Sequence, residues 1–191
     1  MRFSAGRPDP LLEAALARVT AKGLSFLQRR AVWEDLERRG LLGEVVRALE
    51  GMAEENPDDF RLLLLFAEGA GRLCGALPGG PGREEWADKA ERAFERVLDR
   101  TPENWEARFG RAALLAGPRA SEGRREDGRA RLEDLLHWQE EKTPRPAFSR
   151  AYILLGDIYR EDGDLEEARR IWRRGLERFP GNEDLRMRLD R

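Results

Sequence analysis

The chain has 191 residues, of which 40% are hydrophobic and 38% charged, enough apolar material for a sizeable core and too much for a disordered chain. Thirty-five basic residues stand against 37 acidic ones, a formal net charge of −2, so a general phosphate-binding surface is not expected. The longest apolar stretch, Leu62 to Ala67, is far shorter than the roughly 18 residues needed to span a bilayer. The opening MRFSAGRPDP lacks the apolar centre of a secretory signal, and Cys74 has no second cysteine to pair with. A soluble protein of a reducing cytosol, of bacterial type, is therefore expected. Ala, Leu, Arg and Glu dominate over β-branched residues and lose little rotamer freedom on a helix, so the predicted fold is all-α.

In chain order, Asp9-Pro10 reads as an N-cap with Pro at the first helical position; it opens LLEAALARVTAK, an N-terminal helix within 1–25 that ends at Gly23. Residues 26–59 predict two helices about a turn at Gly40, closed by Pro57. Residues 60–104 hold FRLLLLFAEGAGRL, the loop-like GALPGGPG, and a second helix with Ala90, Phe94 and Val97 before Pro102. Residues 105–148 begin WEARFGRAALLAG, carry a similar insertion at GPRASEGRREDG, and continue through Leu132, Leu135, Leu136 and Trp138 to Pro144 and Pro146. Segments 78–82 and 117–123 are thus expected to be swollen turns, mobile and projecting from one edge. Residues 149–182 are the most regular, and 183–191, with Leu185, Met187 and Leu189 among charges, predict a short helix capping the array.

That regular stretch, SRAYILLGDIYREDGDLEEARRIWRRGLERFPGN, places Tyr152, Leu155, Gly156 and Tyr159 on one helix, Ala168, Trp172 and Gly175 on a second, and Pro180 after them. It resembles the tetratricopeptide repeat, a helix–turn–helix unit with an aromatic, Leu-Gly and Tyr, then Ala, an aromatic and a terminal Pro. Gly156 and Ala168 are small where the two helices cross closely, and Gly163-Asp164 supplies the turn and the next cap. Against this pattern the first unit is diverged, with Val32-Trp33 in place of Leu-Gly and Val45 in place of Ala. The resemblance implies one repeat domain over 1–191: an α-solenoid of antiparallel helix pairs in a right-handed superhelix.

Catalytic chemistry has little to draw on. His137 has no second His or Cys at metal-ligand spacing, and Cys74 lacks a base in its neighbourhood. GAGRLCG (69–75) follows no strand and precedes no Gly-Lys-Ser/Thr, and EDGDLEE (161–167) lacks the alternating ligands of a calcium loop. Arg124-Arg125 and Arg173-Arg174 have acidic neighbours, and 105–148 and 149–191 are nearly balanced in charge, so no basic stripe for nucleic acid forms. Neither a metal nor a cofactor is expected.

The resemblance implies a non-enzymatic protein-interaction module, an adaptor, assembly factor or chaperone-like subunit. Its first helices would line a concave groove holding a peptide or amphipathic helix of a partner protein. A helical-repeat binder of nucleic acid or a regulatory ligand is the alternative, and self-association is left open. Carried onto this chain, the groove positions are Leu27, Arg30 and Glu34; Arg61, Leu64 and Glu68; Glu106, Phe109 and Ala113; and Arg150, Ile153, Asp157 and Arg160. Leu64, Phe109 and Ile153 would form an apolar line flanked by charge. The three asparagines, Asn56, Asn104 and Asn182, sit beside the terminal prolines, so the family's carboxylate clamp is not carried over.

Overall fold

The structure, a computed structural model, describes residues 9–190. The opening segment 1–8, with its lack of a signal core, and Arg191 lie outside the described residues. Ten α-helices are present among the described residues and no strand: α1 (Pro10–Val19), α2 (Phe26–Arg38), α3 (Leu42–Glu55), α4 (Phe60–Ala76), α5 (Pro81–Arg100), α6 (Trp105–Leu115), α7 (Glu122–Glu140), α8 (Ser149–Glu161), α9 (Leu165–Arg178) and α10 (Glu183–Leu189). They form two compact units divided between Pro102 and Glu103, beside the repeat boundary expected after residue 104. Unit 1 holds α1 to α5 and unit 2 holds α6 to α10.

Helix ends follow local chemistry. Asp9, Asp59, Asn104, Asp164 and Asn182 each accept a backbone N–H of the following turn, and Ser25 forms a reciprocal capping box with Gln28. Asn56, Thr101 and Phe179, the residues that close α3, α5 and α9, share nearly one conformation (φ −129 to −135°, ψ 67 to 77°). Each stands before a proline, whose ring excludes the helical conformation from its predecessor. Gly163 takes φ +88° between α8 and α9, so the turn expected there needs a residue without Cβ. Pro146 differs from this set: it opens a single 3-10 turn, Pro146–Phe148, that runs straight into α8, and α7 has already ended at Glu140.

The turns expected at 78–82 and 117–123 are present, and they are short. Pro81 is the first residue of the 20-residue α5, and α4 extends through Ala76, leaving a link of residues 77–80. Likewise α7 begins at Glu122, so only residues 116–121 separate it from α6. The extra length lies along the helices because Arg, Glu and Ala after Pro81 are good helix formers and Pro is well tolerated at a first helical position.

In unit 1, α4 packs against both α3 and α5, and its residues Leu62 to Ala67 are all buried. Trp33, 1% exposed, fills the space that Gly69 leaves open: a Cβ on Gly69 would meet the Trp33 ring at 2.7 Å and Val46 at 2.8 Å. In unit 2 the corresponding close approaches are Gly156 under Trp172, Gly175 against Tyr152, and Gly128 against the backbone of Ala116. Gln139, fully buried, accepts from Trp105 Nε1 at 2.8 Å and donates to the Phe148 carbonyl at 3.1 Å, tying α6, α7 and α8 together. Arg178, at the end of α9, donates to the carbonyls of Gln139, Glu140 and Lys142 and so closes the C-terminus of α7.

Candidate functional site

The positions assigned to a ligand groove are largely occupied by bonds within each unit. In unit 1, Glu68 on α4 accepts two hydrogen bonds from Arg29 on α2, at 2.8 and 3.0 Å, and a third from Trp33 Nε1 at 3.2 Å. Both charged side chains are nearly out of solvent, 12% exposed for Arg29 and 11% for Glu68, so the pair is a tie between successive first helices. Arg61 reaches back to the carbonyls of Thr20 and Ala21, satisfying the C-terminal end of α1. Leu64 is buried, contrary to its expected place on an apolar line open to a ligand. The reason is the sandwich of α4 between α3 and α5, which leaves each residue of 62–67 no more than 8% exposed. Leu27 is 41% exposed, and Arg30 pairs with Glu34 one turn on.

In unit 2, Asp157 accepts from Arg188 on α10 at 2.8 and 2.7 Å, with Arg160 at 3.4 Å, and Arg150 lies 3.3 Å from Asp184 on α10. Ile153 is also buried, a second correction to the apolar line, because α8 is covered by α7 and α9. Phe109 is the member of that line which keeps partial exposure, its ring stacked on Trp105 with centroids 5.0 Å apart and planes 5° from parallel. Glu106 lies one turn earlier on the same helix and is half-buried, as is Ala113 one turn later. His137 is exposed and Cys74 buried, and no cluster of metal-ligating side chains occurs among the described residues.

Two grooves of one design were not anticipated. In unit 1, α3 and α5 form the walls and α4 the floor of a groove of ≈ 330 Å³. In unit 2, α7 and α9 form the walls and α8 the floor of one of ≈ 290 Å³. The wall residues recur at identical spacing: Glu50, Ala53 and Glu54 answer to Glu133, Leu136 and His137, and Lys89, Arg92, Ala93 and Arg96 to Glu167, Arg170, Ile171 and Arg174. In unit 2 the groove is internally neutralised: Arg170 pairs with Glu167, Arg174 with Glu140, and Tyr159 donates to Glu133 at 2.5 Å. The Arg170 guanidinium holds the Glu167 carboxyl below its ordinary value. Burial, helped by the bond to Glu133, pushes the Tyr159 phenol up to about 12. In unit 1, Lys89 is held by Glu85 and Glu50, which raise its pKa, and lies over the Trp86 ring. Arg96 donates to the Pro57 carbonyl at 3.2 Å. Superposing the second helices of the second and fourth repeats in sequence, through Ala90 with Ala168 and Pro102 with Pro180, would have exposed this correspondence.

Residues 149–189 match the tetratricopeptide repeat family model. Over 94% of this chain and 86% of the other, the fold is similar to that of TTC0263, a thermophilic TPR protein of Thermus thermophilus, with a TM-score of 0.67 at 18% identity. MamA 41-end from Desulfovibrio magneticus RS-1 is similar over 84% of this chain and 78% of its own (TM-score 0.54, 22% identity), and MamA of AMB-1 over 91% and 100% (TM-score 0.55, 14% identity). No curated protein matches the sequence. No helix among the described residues is long and apolar enough to cross a membrane. With α8 and α9 carrying the repeat pattern and the remaining helices following the same architecture, residues 149–189 are a tetratricopeptide repeat and the chain has the fold of tetratricopeptide-repeat proteins.

Proposed function

We propose that this chain is a non-enzymatic protein-interaction module of the cytosol, an adaptor, assembly factor or chaperone-like subunit that holds a peptide or amphipathic helix of a partner on its first helices. The observation that carries the reading is Phe109, a partly exposed aromatic held flat on the buried Trp105. A ring fixed in this way loses little freedom on meeting a ligand, which is the property of an aromatic anchor. Glu106 beside it on α6, and Arg150 and Arg160 on α8, supply charge to the same unit. Pairing of arginines supports a protein partner over a phosphate backbone: Arg29, Arg72, Arg125, Arg150, Arg174 and Arg188 each lie against a carboxylate, which lowers the cationic charge free to displace counterions.

Affinity capture followed by direct titration of the captured protein tests this. Phe109→Ala should weaken binding by about 2 kcal/mol while unfolding is disturbed far less. An equal loss of folding stability would assign Phe109 to the core. Retention of RNA or DNA instead of protein, with a steep salt dependence, would favour the alternative.

A further inference from the structure

The two grooves share a backbone design and differ in what fills them. The unit 2 groove is filled from its walls by Leu136 and Ile171, where unit 1 has Ala53 and Ala93, 7% and 3% exposed. Two branched side chains are thus missing from the walls of the unit 1 groove, whose floor is Leu63 and Phe66. The charge has changed as well. Unit 1 has Lys89 where unit 2 has Glu167, and Pro57 stands where Glu140 neutralises Arg174. Arg92, exposed on the α5 wall, has no hydrogen bond or ion pair among the described residues, whereas its counterpart Arg170 is paired with Glu167.

We propose that the α3–α4–α5 groove of unit 1 binds an acidic peptide segment that places one bulky apolar side chain between Ala53 and Ala93 and its carboxylates along Arg92 and Arg96. The apolar side chain would supply the volume that leucine and isoleucine supply in unit 2, gaining the contacts that walls with alanine leave unmade. Carboxylates on the α5 side answer the unmatched cationic wall, and Glu54 on the opposite rim repels a peptide bound the other way round. The groove lies between second helices, so it is distinct from the first-helix surface proposed above, and Phe109→Ala should leave it unaffected.

The test uses the full chain with carbon-13-labelled alanine methyls, titrated with the acetylated, amidated hexapeptide Ser-Leu-Phe-Asp-Glu-Asp. The Ala53 and Ala93 methyl resonances should shift saturably while that of Ala168 stays in place. Arg92→Glu, a change at an exposed and unbonded residue, should weaken the affinity at least about tenfold. The double variant Ala53→Leu with Ala93→Ile, which installs the unit 2 side chains and removes both reporter methyls, should bind the peptide at least about tenfold more weakly in calorimetric titration against the wild-type chain. Three results would each overturn the proposal: no saturable shift with the wild-type chain, affinity unchanged in Arg92→Glu, or equal binding of the charge-swapped peptide Ser-Leu-Phe-Lys-Arg-Lys. Should the double variant fail to fold, Arg92→Glu and the charge-swapped peptide still decide.

Discussion

The indole of Trp172 occupies the space a side chain at position 156 would need: a Cβ built on Gly156 would lie 2.2 Å from Trp172 Nε1 and 2.5 Å from its Cδ1. This is a close crossing of α8 and α9, and both residues are buried. Gly156→Leu must therefore displace a packed indole. A loss of about 1 to 3 kcal/mol in urea unfolding is expected. A variant with the wild-type midpoint would show that the crossing can open at no cost.

Arg178 draws its importance from three carbonyls. Its guanidinium lies 3.2, 2.9 and 2.7 Å from the carbonyl oxygens of Gln139, Glu140 and Lys142, where α7 has no further N–H to offer. Replacement by Met keeps most of the stem and removes the charge-assisted donors, at an expected cost of about 1.5 to 3 kcal/mol. Hydrogen exchange should accelerate at the last turn of α7 more than at α9. Uniform acceleration over unit 2 would assign Arg178 a packing role instead.

Glu68 separates a structural role from a binding role. Because it and Arg29 are almost desolvated, Glu68→Ala removes one member of a nearly buried, doubly hydrogen-bonded ion pair and should cost about 3 to 5 kcal/mol of stability. The joint replacement of Glu68 and Arg29 by Met should recover much of that loss, since both charges of the pair are then removed together. Chemical denaturation of the two variants provides the comparison; equal losses would contradict the coupling.

The only two tyrosines, Tyr152 and Tyr159, both have raised pKa values, by burial first and then by donating to Glu140 and Glu133 respectively. Tyr159 is pushed up to about 12 from an ordinary 10.0, and Tyr152 is raised further. A phenol raised in the folded state contributes stability that is whole below its unfolded value and is lost as pH climbs through its folded one. Stability should accordingly fall between about pH 10 and 12. Absorbance at the phenolate band should show no ionisation near pH 10 while the chain is folded; a full phenolate step there would contradict the two hydrogen bonds.

The helices themselves were legible one by one. Asp9-Pro10 and Asp164, read as caps from the sequence, act on the backbone within one turn of themselves, so their meaning survives in any tertiary setting; Asp59, Asn104 and Asn182, not read as caps, act in the same way. The same locality makes Pro57, Pro102 and Pro180 dependable stops. The turns expected at 78–82 and 117–123 fall at residues 77–80 and 116–121; only their far ends differ, where Pro81 and Glu122 open α5 and α7 and helix propensity takes up the last two residues of each segment.

Sequence alone therefore determined the all-helical class, the pairing of helices and the glycine under an aromatic in the last repeat, because each depends on neighbours at fixed spacing along one or two helices. Only the tertiary structure decided which charged first-helix residues are already spent. Glu68 finds Arg29, Arg61 finds the end of α1, and Asp157 finds Arg188, all partners more than 30 positions away in the chain. An exposed and a sandwiched face of a repeat helix carry the same periodicity, so Leu64 and Ile153 could not be told from Phe109 by spacing. Which face is covered depends on the helix lying alongside, and that is a property of packing rather than of local sequence.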